Sequence, residues 1–325
     1  MPPLRAPREP SAAAFWLGVK GLAADTQVGS ASAMSLRLFL LLISAFATVL
    51  VAGPARAQTE FCDRQIEDWG GPALANGISL HSLEWAPFGS TEWGWETYVP
   101  LMQQELGTGC AANSPVFARR LADFQTAHQL PSTGIFDQAT FQTFRGLWQE
   151  RRPFIMARVR EEPCPEPPPL YQLGYLVASE EHADRLTRLL RRDVLEAYRR
   201  MVAAARAEVP EVANDPELLQ IFSGFRDPEA DAARCAASGN CDGVRRAVCS
   251  PHRTGTAVDL YVGQVVGLGV DNTSPPSRLH MSRGATYRWL VKNAGRFGFV
   301  PYAFEPWHWE WVSPASGYAG PPPPS

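Results

Sequence analysis

The sequence predicts an α+β protein: helices packed on a small antiparallel sheet, with a separate small all-α module in front. Three observations carry this reading. Apolar residues recur at helical spacing in two regions, around 117–148 and 186–205. Three short β-like segments, 218–225, 256–262 and 307–312, come without βαβ alternation, which favours an antiparallel sheet. A proline-rich run, Glu161 to Pro169, cannot form helix and divides the two regions as a stiff linker.

A chain of 325 residues is expected to hold two folded units, and 45% apolar residues suffice for their cores. A net charge of −3 with scattered basic residues leaves no electrostatic footprint for nucleic acid, so no nucleic-acid partner is expected. Near the start, Arg37 precedes an apolar run from Leu38 to Val51, then Pro54 and Ala55-Arg56-Ala57. A positive flank, an apolar core and an Ala-x-Ala site describe a secretory signal cleaved after Ala57. The competing membrane-anchor reading needs about 20 apolar residues. No small-residue-Cys lipidation box is present, since Cys62 follows Thr59-Glu60-Phe61. Residues 1–57 are therefore read as leader and signal, with Met34 as the start. The mature protein is placed in the periplasm or outside the cell, with no stable membrane anchor. In that setting six cysteines predict disulfides, and no CxxC pair competes for them. Sequence alone leaves the pairing open, although locality favours Cys62–Cys110 and a loop closed by Cys235–Cys241.

In the first region, Phe117, Leu121 and Phe124 mark one helix. Pro131 to Gly134 form a turn, and Asp137 caps a second helix bearing Phe141, Phe144, Leu147 and Trp148. A third helix is expected around Tyr98, Leu101, Met102 and Leu106, with Pro100 in its first turn. Residues 60–155 thus make a small helical bundle. Its string from Phe124-Gln125 through Leu130-Pro-Ser-Thr-Gly134 to Asp137-Gln-Ala-Thr140 resembles the repeat of peptidoglycan-binding modules. That resemblance implies a role in targeting more than in chemistry; the alternative is a helical spacer.

In the second region (171–315, after a linker over 156–170), Ser179 is read as the cap of a long helix with Glu180, Glu181 and Asp184 in its first turn. Leu186, Leu190, Val194, Tyr198, Met201 and Ala205 form its inward stripe. Ser282 is read as the cap of a later helix that bears Leu290, Val291 and Ala294 and ends near Gly298. The tail from 316 to 325 is expected to be disordered.

Three segments hold the chemistry: Ser223-Gly224-Phe225-Arg226-Asp227, Ser250-Pro-His252-Arg-Thr-Gly255-Thr-Ala257-Val-Asp259, and Glu305-Pro-Trp307-His308-Trp-Glu310-Trp311. A catalytic zinc wants three protein ligands and an open position. Gly255 lets the chain turn so that His252 and Asp259 converge, and His308 supplies a second imidazole. Two imidazoles and a carboxylate suit Zn²⁺. Glu305, three residues before His308, sits where a general base reaches water without ligating the ion. Arg226 offers a permanent charge for a developing oxyanion. Each element has a plainer reading alone: a satisfied histidine, a turn with a local Arg226–Asp227 ion pair, or core tryptophans. Glu310 is an alternative carboxylate on the face of His308.

The combination Ser-x-His-x-x-Gly-x-Ala-x-Asp, then Glu-x-Trp-His, with Ser-Gly-Phe-Arg upstream, resembles the zinc D-Ala-D-Ala carboxypeptidases and dipeptidases of the vancomycin-resistance type, over roughly 175–313. Their fold is shared with the Hedgehog signalling domain. The resemblance implies zinc ligands at His252, Asp259 and His308, Glu305 as base, Arg226 as substrate or transition-state anchor, and Ser250 on the substrate side. It also implies peptidoglycan stem peptides as substrate. The chain departs from the pattern in two places. Asp227-Pro228-Glu229 replaces the Ser and Gln seen in relatives, and a cysteine-bearing insertion from 235 to 249 runs directly into the metal motif. Both lie on the substrate side. The alternatives are an L-Ala-D-Glu endopeptidase of the same family and a non-catalytic zinc-containing wall-binding protein. An intact Glu305 and Arg226 argue against the latter.

Overall fold

In the helical module, two helix starts are fixed by local side-chain caps. A computed structural model describes residues 61–62, 68–182, 189–238 and 249–312. The predicted signal, its cleavage site, the tail from 316 and the Cys235–Cys241 pairing lie outside what it describes. The first helix, α1 (Gly70–Ser82), leads into a two-stranded antiparallel ribbon of β1 (Glu84–Trp85) and β2 (Glu92–Trp93). Helix α2 (Val99–Leu106) carries Pro100 in its first turn, where a missing N–H costs nothing. Ser114 caps α3 (Pro115–Ala127) by accepting the Phe117 N–H at 3.2 Å. Asp137 caps α4 (Gln138–Glu150) by accepting the Thr140 N–H at 2.8 Å.

Between α3 and α4 the expected turn is pinned from both sides. The buried Gln125 carboxamide accepts the Gly134 N–H at 2.8 Å and donates to the Ile135 carbonyl at 3.0 Å. Asn76 donates to the Gly134 carbonyl at 2.9 Å and accepts the Phe136 N–H at 2.8 Å. Gly134 lies at φ +65°, and a Cβ there would come within 2.7 Å of the Ala118 carbonyl oxygen, so only glycine fits. The core beneath is aromatic: Phe124 stacks on Phe144 at 3.9 Å and Trp95 on Phe136 at 4.3 Å. A short helix, α5 (Pro153–Val159), runs into the start of the predicted linker.

The second region begins with β3 (Leu173–Tyr175) paired antiparallel to β4 (Leu189–Arg191). The long helix α6 (Arg192–Glu208) therefore starts twelve residues later than a cap at Ser179 predicts. The physical reason is non-local: the Leu189–Arg191 backbone is taken by strand pairing, which puts Leu190 into the core as part of a strand. Glu180 instead accepts the Val177 N–H and pairs with Arg199 on α6. Val194, Tyr198, Met201 and Ala205 are buried as the stripe predicts. After α7 (Pro210–Asn214) and β5 (Ile221–Ser223) comes α8 (Pro228–Ser238), followed by β6 (Ala257–Leu260). The Ser282 expectation is also corrected. Ser282 belongs to the last turn of α9 (Pro275–Arg283), where its hydroxyl donates to the Leu279 carbonyl, and α10 (Ala285–Asn293) starts after Gly284. Two strands close the sheet, β7 (Phe299–Tyr302) and β8 (Glu305–Trp311), in the antiparallel order β5-β6-β8-β7. Helices α6, α9 and α10 contribute to the core cluster that covers this sheet, which is the α+β architecture expected.

The helical module packs directly on this domain. Ala303 joins the module's core and Val291 packs against both clusters. Arg278, on α9, is 1% exposed and reaches into the module, bonding Glu92 at 2.5 Å and the Tyr98 hydroxyl at 2.9 Å. From the module, Arg152 reaches the other way and bonds Glu310 on β8 at 2.9 and 2.5 Å.

Cys62 is bonded to Cys110, as locality predicts, and Cys164 to Cys249. The second bridge ties the linker to the residue just before Ser250. Mass spectrometry of periplasm-expressed protein with and without reduction should show at least two bridges. Replacing both Cys164 and Cys249 by Ser should lower stability by about 2–4 kcal/mol, read from the urea midpoint. Six free thiols in the unreduced protein would contradict the oxidised chain described here.

Candidate metal centre and active site

Strand register brings the site together. Asp259 on β6 lies directly opposite His308 on β8, and Ser223 on β5 opposite Asp259. Alternation along β8 sends Trp307 and Trp309 into the core while His308 and Glu310 share the other face. His252 arrives on a 3₁₀ turn, Pro251–Thr254, which ends at Gly255 with φ +67°, the bend the sequence requires. Ser250 caps that turn, its hydroxyl accepting the His252 N–H at 3.3 Å.

Ligand atoms of His252, Asp259 and His308 all lie within 4.8 Å of one another, and all three residues are buried. The hydrogen bonding around them fits a cation. His252 Nδ1 is 2.8 Å from the Gly224 carbonyl oxygen, which can only accept, so the proton sits on Nδ1. That leaves the Nε2 lone pair without a hydrogen-bond partner, buried 3.3 Å from an Asp259 carboxylate oxygen. Two electron-rich atoms so placed repel unless a positive centre lies between them. His308 differs: Nε2 is 3.2 Å from Glu310 and Nδ1 is 2.8 Å from Asp259, so both ring nitrogens have carboxylate partners in the metal-free chain. A cation held by Asp259 would take the Nδ1 side and leave the Nε2 proton to Glu310. Two imidazoles and one carboxylate are a donor set suited to zinc.

The protonation equilibria follow from the same packing. Burial holds His252 below its ordinary range, against the pull of Asp259 and with help from Arg226. Burial also opposes the charged form of His308, but its bonds to Asp259 and Glu310 outweigh this and raise it to about 9 in the metal-free chain. Asp259 is held well below the carboxylate range: burial is overcome by His252 and His308. Glu305 is half-buried at the start of β8 and moves the other way. Burial raises it and Asp259 adds to this, opposed by His308, Arg152 and Arg226.

Arg226 follows β5, its N–H donating to the His252 carbonyl at 3.2 Å, and its Nε is buried with no hydrogen-bond partner among the described residues. Asp227 does not pair with it. The Asp227 carboxylate caps α8, accepting the Glu229 and Ala230 N–H groups at 3.0 Å. Glu310, weighed as an alternative carboxylate, sits behind His308. Although fully buried, it is held down to about 2 by Arg152 and His308. Arg152 is the residue that sequence reasoning missed. Its one local signal is Pro153, which keeps the preceding residue extended at φ −108°, ψ 92° and breaks α4 from α5 at that point.

The α+β domain thus brings two imidazoles and a carboxylate together on its small antiparallel sheet, a group that could hold a metal ion. Residues 187–314 match the family model of VanY, D-alanyl-D-alanine carboxypeptidase. No curated protein matches the chain. Among solved structures, the LdcB LD-carboxypeptidase, described with the molecular basis of peptidoglycan recognition, is 21% identical. That likeness covers 48% of this chain and 73% of the other, with a TM-score of 0.33. A variant of the vancomycin-resistance D,D-pentapeptidase VanY in complex with Zn(II) is 23% identical, covering 45% and 83%, with a TM-score of 0.27. VanYB in complex with D-alanine-D-alanine is 22% identical, covering 48% and 85%, with a TM-score of 0.30. Among the described residues, no helix is long and apolar enough to cross a membrane.

Proposed function

We propose that the chain is an exported, zinc-dependent D-alanyl-D-alanine carboxypeptidase that trims peptidoglycan stem peptides. The observation that carries the reading is the convergence of buried His252, Asp259 and His308, with His252 Nε2 left unpartnered 3.3 Å from the carboxylate. These three residues hold the zinc. When bound, the ion supplies Lewis acidity, lowering the pKa of a water in its open position towards about 7 and polarising the scissile carbonyl.

The chain's own groups do the rest. Glu305, raised by burial, takes the proton of the attacking water and returns it to the leaving amine. Arg226, with a buried and unpartnered Nε, faces the oxygen that becomes negative, or the terminal carboxylate of the substrate. Ser250 already accepts a backbone N–H, and its own hydroxyl proton remains available for a substrate oxygen.

The test is a pentapeptide-stem muropeptide incubated with enzyme and analysed by mass. Release of one D-alanine is expected. A product with D-Glu at a new amino end would assign the endopeptidase activity of the same family. Full zinc loading with no cleavage of any stem bond would assign a non-catalytic wall-binding role.

A further inference from the structure

We propose that Arg152, contributed by the helical module, is a positioning residue for the metal ligand His308, acting through Glu310, so that the module completes the metal centre. The inference rests on the reading of His308 as a ligand.

The geometry is a relay of three side chains on two halves of the chain. Arg152 Nε and Nη2 both donate to Glu310 Oε1, at 2.9 and 2.5 Å. The same oxygen lies 3.2 Å from His308 Nε2. The guanidinium also lies over the Tyr302 ring, 4.2 Å from its centroid, which fixes its plane. A ligating histidine is oriented, and its tautomer chosen, by the carboxylate that accepts its other N–H. Glu310 is that carboxylate for His308. It stands on the same strand two residues away, so the strand alone cannot hold its head group still; Arg152 does.

The pair needs a reason beyond stability. Arg152 and Glu310 side chains are 5% and 3% exposed. Buried ion pairs can often be replaced by apolar residues of similar volume without loss of stability. Placement against His308 supplies the reason that packing does not. It also gives residues 60–155 a part in the chemistry beside the expected role in targeting, because Arg152 lies within that module.

The experiment compares full-length wild type with Arg152→Met, Glu310→Gln, Arg152→Lys and the double variant Arg152→Met/Glu310→Met. Each is prepared metal-free and checked for an unchanged circular-dichroism spectrum. Zinc affinity is read by competition with a chromophoric chelator, and the site's symmetry by the visible absorption of bound Co²⁺. Folded variants lacking the relay should bind zinc about 10–100-fold more weakly, with an altered Co²⁺ spectrum. The effects of Arg152→Met and Glu310→Gln should not add, and Arg152→Lys should fall between. The double variant removes both buried charges together and so guards against failure to fold. Wild-type zinc affinity and an unchanged Co²⁺ spectrum in any folded variant lacking the relay would overturn the proposal. Failure of the wild type itself to bind zinc would instead overturn the metal reading on which it rests.

Discussion

Glu305→Gln should leave zinc near one per chain while turnover on a D-Ala-D-Ala substrate falls at least about a hundredfold. The amide keeps the size of the carboxyl and much of its hydrogen bonding but cannot take a proton from water. General-base assistance is typically worth about 10²–10⁴-fold, or roughly 3–5 kcal/mol of barrier. Glu305 suits this role because the three converging ligand groups leave it outside the metal set, while burial keeps its proton affinity above that of an ordinary carboxylate. Atomic emission for zinc beside steady-state turnover makes the distinction. Loss of zinc in this variant would make Glu305 a ligand, and retention of both zinc and rate would place the base elsewhere.

The ligand variants should fail differently. His252→Ala, Asp259→Ala and His308→Ala each remove one of three protein donors, so zinc and turnover should fall together. The loss in zinc affinity should exceed the roughly 10–100-fold typical of changes behind the ligands. Asp259→Ala should be the most severe, because that carboxylate is the one anionic donor of the three, 2.8 and 3.3 Å from the two imidazoles, and removing it leaves two neutral donors. A variant that keeps stoichiometric zinc after dialysis against chelator would remove that residue from the ligand set.

How much of this was legible in the sequence follows from how local each signal is. Ser114, Gly134 and Asp137 act within a few residues of where they stand, so the bundle's caps and turn could be read directly. The bend at Gly255 and the alternation around His308 are equally local, but the convergence of the three residues depends on β6–β8 pairing and was legible only through the combined motif and its resemblance. The start of α6 was not, because β4 exists only through its pairing with β3. Strand β7 was missed for a similar reason: it is four residues long, contains Pro301, and is held by pairing with β8. Arg152 was beyond reach, since its meaning lies in Glu310, 158 residues away.

Arg152 and Arg278 cross the boundary between the two halves in opposite directions, each ending on a buried carboxylate of the other side. A transplanted copy of residues 60–155 would carry Glu92 without its cation and Arg152 without its anion, each a stranded charge that water must reach or that must be neutralised. The remaining half would inherit the mirror-image defect at Arg278 and Glu310. Portability, the usual advantage of a small add-on module, is what this exchange of arginines gives up.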